Sequence, residues 1–306
     1  MLSAGNGKLS AKTCRASQKN RKGCGCSLRK RLRNFIADKG SENKMKSVIS
    51  GIFVAFSMYS AIPVPQVNWE KKTMRWALIF LPLVGVIIST VSWIWFAFCS
   101  FFRANSLFYA VGATLIPLCI SGGIHLDGLC DTCDALCSFG DREKRLAILK
   151  DPHVGAFGPM WICAFLLAEC ACFSQIFEYS RLFPLVLVAF PAARAIGGRK
   201  VVASPCAKDS GLAHIFAENS DKRVVSVVLL LEIMVYLLIS GVLLFGVTHG
   251  TTAALILTVL LMLWYAFHEK LSKQTFGGIT GDLAGFCISI SELLCLAVAA
   301  FGGLVL

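Results

Sequence analysis

The run Trp76-Ala-Leu-Ile-Phe-Leu-Pro-Leu-Val-Gly-Val-Ile-Ile-Ser-Thr-Val-Ser-Trp-Ile-Trp-Phe-Ala-Phe-Cys-Ser-Phe-Phe102 decides the fold. It carries no charge, and a helix of this length crosses a hydrocarbon core roughly 30 Å thick. Comparable apolar runs recur along the chain. They place candidate helices at Val48–Ile62, Trp76–Phe102, Leu107–Ile124, Phe157–Phe177, Leu182–Gly197, Val224–Val247, Thr251–Phe267 and Leu283–Leu306. Composition agrees, with 56% hydrophobic residues and a mean hydropathy of +0.68. A soluble domain has no use for so much apolar surface.

Charge then sorts the loops. Residues 1–46 hold thirteen Lys or Arg against Asp38 and Glu42, so nearly all of the net charge of +12 sits in this leader. It lacks apolar periodicity and is expected to be disordered, a solvated tail drawn to anionic lipid. Only one aromatic residue, Phe35, stands among the bases, too few to stack on successive nucleobases, so nucleic acid is not an expected partner. The leader is also too long for the n-region of a secretory signal, and Met45 opens a second plausible start. We divide the chain into a leader, 1–44, and one membrane-embedded catalytic domain, 45–306.

Fourteen of the remaining bases fall in four loops: Lys71, Lys72 and Arg75; Arg142, Lys144, Arg145 and Lys150; Arg199, Lys200, Lys208, Lys222 and Arg223; Lys270 and Lys273. Lys and Arg collect on the cytoplasmic side, which puts all four loops there. The short Val48–Ile62 run, flanked on both sides by basic segments and stopped by Pro63-Val64-Pro65, should start and end on that face. The expected fold is all-α: a polytopic transmembrane bundle of about seven spans plus one short re-entrant or interfacial helix.

Polar residues concentrate in Ser121-Gly-Gly-Ile-His125-Leu-Asp127-Gly-Leu-Cys-Asp131-Thr-Cys-Asp134. The spacing of Asp127, Asp131 and Asp134, i, i+4 and i+7, sets three carboxylates within about 60° on one helical face. Such acids repel unless a cation joins them, and hard oxygen donors suit Mg²⁺ or Mn²⁺ with a substrate phosphate as further ligand. The alternative is a solvated acidic helix surface, but carboxylates where the chain leaves lipid favour function. Cys130, Cys133 and Cys137 form a second stripe about 90° around, read as small packing residues, because a thiolate site would need a fourth ligand. The fourteen cysteines follow no disulfide framework.

His125 is a candidate general base or a hydrogen-bonded structural histidine. Three more stretches join charge or hydroxyls to glycine: Lys150-Asp151-Pro-His153-Val-Gly155-Ala-Phe-Gly158, Lys208-Asp209-Ser-Gly211, and Gly277-Gly278-Ile-Thr280-Gly281-Asp282. Each also suits a capped loop. Their sharing one membrane face with the aspartates points to phosphoryl or nucleotidyl transfer, with Arg194 and Arg199 as further cations.

Gly122 to Asp134, followed by Gly140-Asp-Arg-Glu-Lys-Arg-Leu-Ala-Ile-Leu-Lys-Asp151, Gly155-Ala-Phe-Gly158 and the late Gly277-Gly-Ile-Thr-Gly-Asp282, closely resembles cobalamin synthase, the adenosylcobinamide-GDP ribazoletransferase family. The likeness runs from about residue 45 to the C-terminus. Departures stand at Cys130 and Cys133, where the family has small residues; at Ala61, where it commonly has Arg; and near Glu169, where it often has a base.

The resemblance implies a Mg²⁺-dependent enzyme of the cell membrane with its site on the cytoplasmic face. It would join α-ribazole, or its 5′-phosphate, to adenosylcobinamide-GDP, giving adenosylcobalamin or its phosphate and releasing GMP. Asp127, Asp131 and Asp134 would hold the metal, and one of them or His125 would take the ribose hydroxyl proton. Lys150, Lys208 and Arg194 would neutralise phosphate. Asp151, Gly277, Gly278, Thr280 and Asp282 would complete the substrate site. Partners would be the two small-molecule substrates, the lipid bilayer and other cobalamin-assembly enzymes.

Three other readings compete. A CDP-alcohol phosphotransferase would show longer gaps between its later aspartates and an Ala-Arg pair after the first Asp-Gly, where this chain has Leu129-Cys130. A divalent-cation transporter would spread acids through several mid-membrane helices, where this chain has only Glu169, Glu232 and Glu292. A structural scaffold would not need acidic, glycine-rich loops.

Overall fold

The structure, a computed structural model, describes residues 47–65, 71–208, 210–247 and 249–305. The leader assignment therefore lies outside the described residues, as does Asp209. From Ser50 onward the chain forms one compact unit.

The elements are α-helices: α1 (Ser47–Tyr59), α2 (Lys71–Ala77), α3 (Leu81–Phe101), α4 (Ser106–Ser121), α5 (Ile124–Cys137), α6 (Arg142–Ile148), α7 (Phe157–Glu178), α8 (Pro184–Ala203), α9 (Leu212–Asn219), α10 (Lys222–Leu243), α11 (Gly250–Leu271) and α12 (Gly281–Val305). Five helical segments are long and apolar enough to cross a membrane: Thr73–Phe101, Phe157–Glu178, Lys222–Leu243, Gly250–Phe276 and Gly281–Gly303. The pair α4–α5 makes a sixth if counted as one broken span. Helix α8 has the length of a span but carries Arg194, Arg199 and Lys200. Helix α1 is too short to cross and stops before Pro63.

Helix α8 forms the centre, packed against α3, α10 and α12. Its Ala- and Gly-rich surface lets neighbours approach closely, which drives helix association in lipid. Helix α12 is its counterpart, 78% buried over its most apolar window against 17% for α10, which faces outward.

Two differences from the sequence reading matter for the site. Arg199 and Lys200, placed in a basic loop, continue α8 through Ala203. They stay helical because α11 partners them: Lys200 Nζ donates to Tyr265 O (2.8 Å) and Glu269 Oε2 (2.8 Å), and Arg199 donates to the Tyr265 hydroxyl (2.6 Å). Likewise α11 runs past Phe267 and ends in a π-turn over Ser272–Phe276.

The second difference is a corner. Gly122 and Gly123 adopt φ of +65° and +79°, a left-handed pair that side chains resist. They end α4 and turn the next helix, α5, by 94°. Helix α5 then packs on α12 at Gly128, where a Cβ would stand 2.7 Å from the Asp282 carbonyl oxygen. Gly128→Ala must push the two backbones apart. The expected cost is about 1–3 kcal/mol of stability, read as a lower melting midpoint of the purified protein with unchanged helical content.

Candidate functional site

Helix α5 presents its acids in different settings. Asp127 is exposed, Asp131 half-buried and Asp134 buried. Asp134 is already engaged: its Oδ2 accepts from the Gly155 backbone N–H (2.9 Å), and its Oδ1 from those of Phe157 (3.0 Å) and Gly158 (2.9 Å). These amides open α7, which has no side-chain cap of its own. A carboxylate from another helix thus satisfies donors that every helix start leaves free, at the positive end of the dipole. Asp127, Asp131 and Asp282 lie close enough for their charges to act on one another, and the Asp134 charge reaches Asp131 as well.

Two cavities meet here. One, of ≈ 260 Å³, is lined by Asp127, His125 and Tyr59, by Gly197 and Gly198 of α8, and by Asp282. The other, of ≈ 370 Å³, is lined by Lys150, Lys208, Ser210, His214, Thr280 and Asp282. Leu212, Ala213, Gly281 and Asp282 belong to both, so an acidic chamber opens beside a basic one.

The chain builds the basic chamber from three distant stretches. Ile279 pairs in parallel with Cys206, with Ile279 N–H donating to Pro205 O (2.8 Å) and Ala207 N–H to Ile279 O (2.9 Å). Arg142 Nε donates to Phe276 O (3.0 Å) and Lys208 Nζ to Leu146 O (3.0 Å), tying α6 to both strands of that pairing. Glu269, which accepts from Lys200, Ser204 (2.6 Å) and Lys273 (2.8 Å), anchors the π-turn before it. Burial lowers the Lys208 pKa below its ordinary value, and the Lys150 charge lowers it further while Asp282 opposes.

Not every expected residue joins. Asp151 is exposed and bonded to His153, through the backbone N–H (2.9 Å) and Nδ1 (2.7 Å), which holds its pKa below the usual range; it lines neither chamber. Gly277 and Gly278 form the turn behind Ile279. Arg194 is buried against Glu292, behind His125. The cysteine face of α5 behaves as packing: Cys133 and Cys137 with Leu129 and Leu136 line an apolar cavity of ≈ 420 Å³ closed by α7 and α12. Sequence reasoning missed Arg142, Lys200 and Glu269, whose partners lie 65 to 134 residues away.

Among the described residues no three His, Cys, Asp or Glu side chains form a metal-binding group. The donor set nevertheless fits Mg²⁺, which takes one or two carboxylates and fills its other positions with water and substrate phosphate. Asp127, which lines the acidic chamber, and Asp131, half-buried one turn on and lining neither chamber, are the acids of α5 left open for it.

Fold and site define a polytopic helical membrane protein whose acidic and basic chambers share one wall. Residues 51–300 match the family described as cobalamin-5-phosphate synthase, and the chain belongs to that family, as a transferase of cobalamin synthesis. An adenosylcobinamide-GDP ribazoletransferase from Lachnoclostridium phytofermentans is 37% identical over 259 residues, 84% of this chain and 96% of the relative. Proteins of the same name from Clostridium perfringens (31% over 249 residues, 81% and 96%) and Treponema denticola (28% over 272 residues, 83% and 98%) are also similar. No solved structure matches.

The three acids separate by experiment. Asp134→Asn replaces an acceptor with a donor facing backbone N–H groups and should cost about 1–3 kcal/mol. Asp127→Asn and Asp131→Asn should leave the melting midpoint close to wild type.

Proposed function

We propose that this chain joins α-ribazole, or its 5′-phosphate, to adenosylcobinamide-GDP with release of GMP. The observation that carries this reading is the shared wall: a carboxylate chamber suited to a divalent cation opens directly onto a lysine chamber suited to phosphate. The names of the curated relatives agree with it.

The ribose hydroxyl oxygen bonds to the phosphorus next to cobinamide. The bond from that phosphorus to the oxygen shared with GMP breaks, and GMP leaves with that oxygen. The hydroxyl proton passes to His125 or to a carboxylate of the acidic chamber. Asp127 and Asp131 would hold Mg²⁺, with Asp282 on the facing helix orienting substrate or adding a further carboxylate. The metal held there would supply neutralisation of pyrophosphate charge. Lys150 and Lys208 balance the phosphates from the other chamber, where Thr280 offers a hydroxyl. Asp134 acts at one remove, by fixing α5 against α7. The lysines of the site stretches favour the cytoplasmic face of the cell membrane for this end of the bundle.

The test is GMP release by purified protein in vesicles with both substrates and Mg²⁺. Asp131→Asn should lose activity by about 100-fold or more; wild-type turnover in that variant overturns the assignment of the acids, and no GMP from the wild type overturns the reaction. The Lys208 reading has its own check. Its protonated form is the one that binds phosphate, and it is lost as pH rises through a pKa held below 10.5. The alkaline limb of kcat/KM should therefore fall early, and Lys208→Arg should move it to higher pH.

A further inference from the structure

His125 stands between two spaces. On one side is the chamber holding Asp127 and Asp282. On the other is a small void of ≈ 20 Å³ that it lines with Glu169, Arg194 and Glu292. These four side chains arrive from four helices, α5, α7, α8 and α12, and retain 5%, 2%, 1% and 5% of their exposure.

Arg194 is paired with Glu292 and donates to Phe190 O (3.1 Å). That leaves three buried polar atoms without a hydrogen-bond partner in the protein: His125 Nε2, Glu169 Oε1 and Arg194 Nε. Buried polar groups are nearly always partnered, so three such atoms on residues lining one void share a cause. The void exceeds the roughly 10–15 Å³ that one water needs, and a buried water typically makes about three hydrogen bonds. Donors and acceptors balance: Arg194 Nε–H and His125 Nε2–H donate to the water, Glu169 accepts from it, and this tautomer leaves His125 Nδ1 free to take a proton.

We propose that one water joins Glu169, Arg194 and His125 into a relay, braced by Glu292, that fixes the His125 ring at the wall of the substrate chamber and makes Glu169 a positioning residue for proton transfer. The proposal rests on the reading of His125 as proton acceptor. An imidazole tied at Nε2 has its tautomer set and its rotation stopped. Tyr59, stacked on it at 6.4 Å and 20°, holds the plane of the ring. Ionisable side chains gathered inside a membrane bundle at this density mark function more often than packing. A network that served only to hold helices together would have no need to end on a histidine facing the chamber.

The experiment measures GMP release by the full-length protein in vesicles. Glu169→Gln keeps an acceptor at Oε1 and should stay within about threefold of the wild-type kcat, whereas Glu169→Leu should lose about tenfold or more, with KM for both substrates unchanged. Should the Leu variant fail to assemble, Glu169→Met, of nearly the same length, is read in its place. An apolar variant with wild-type kcat overturns the relay, as does a Gln variant as impaired as the apolar one, or a loss expressed in KM. His125→Asn separates the two layers. Wild-type turnover in that variant removes His125 from the reaction and the relay with it. Its inactivity beside a fully active Glu169→Leu overturns the relay alone.

Discussion

The structure depends on one carboxylate held by three backbone amides. Helix α7 begins with donors that no residue of its own satisfies, and Asp134 reaches them from a different helix. The bond to the Gly158 amide is buried, where leaving it unmade would cost the desolvation of its donor. Helix α5 is thereby locked to the start of α7, and α7 in turn packs along α4 and α12. With Asp134 committed, α5 has a fixed rotation about its own axis, and Asp127 is set toward the chamber while the cysteine face is set toward apolar packing.

A second fixed frame comes from α8 and α12. Small residues bring these helices together, and the charges α8 carries are each answered from a neighbour: Arg194 by Glu292, Lys200 by Glu269, Arg199 by the Tyr265 hydroxyl. Buried charges left single would be prohibitive in this setting, whereas partnered ones fix the register of helices that apolar contact alone would let slide. The first turn of α12 ends at the shared wall of the two chambers. The register set deep in the bundle thus decides where Asp282 and Thr280 stand.

Much of this was legible in the residues. Long apolar runs announced the spans, and the i, i+4, i+7 spacing announced a single acidic helix. The polar stretches around Lys150, Lys208 and Thr280 do meet, as their common membrane face implied. What stayed hidden was pairing at long range. Nothing near Asp134 signals that its partners are amides more than twenty residues on, and nothing near Arg194 points to a glutamate 98 residues away. Arg199 and Lys200 looked like the end of a helix because an unpartnered charge ends one in lipid; Glu269 and Tyr265 removed that reason. Gly122-Gly123 was visible as a break, but a break carries no angle.

That angle has a geometric outcome. A helix advances about 1.5 Å per residue, so the path from Asp127 to Asp134 covers about 10 Å. Had α5 simply prolonged α4, that distance would have been spent along the axis of α4, each acid at a different level. Turned by 94°, the helix spends it crosswise. Asp127 and Asp131 are thereby displaced across the end of α4 rather than along it, and Asp134, farthest along the turned helix, reaches the start of α7.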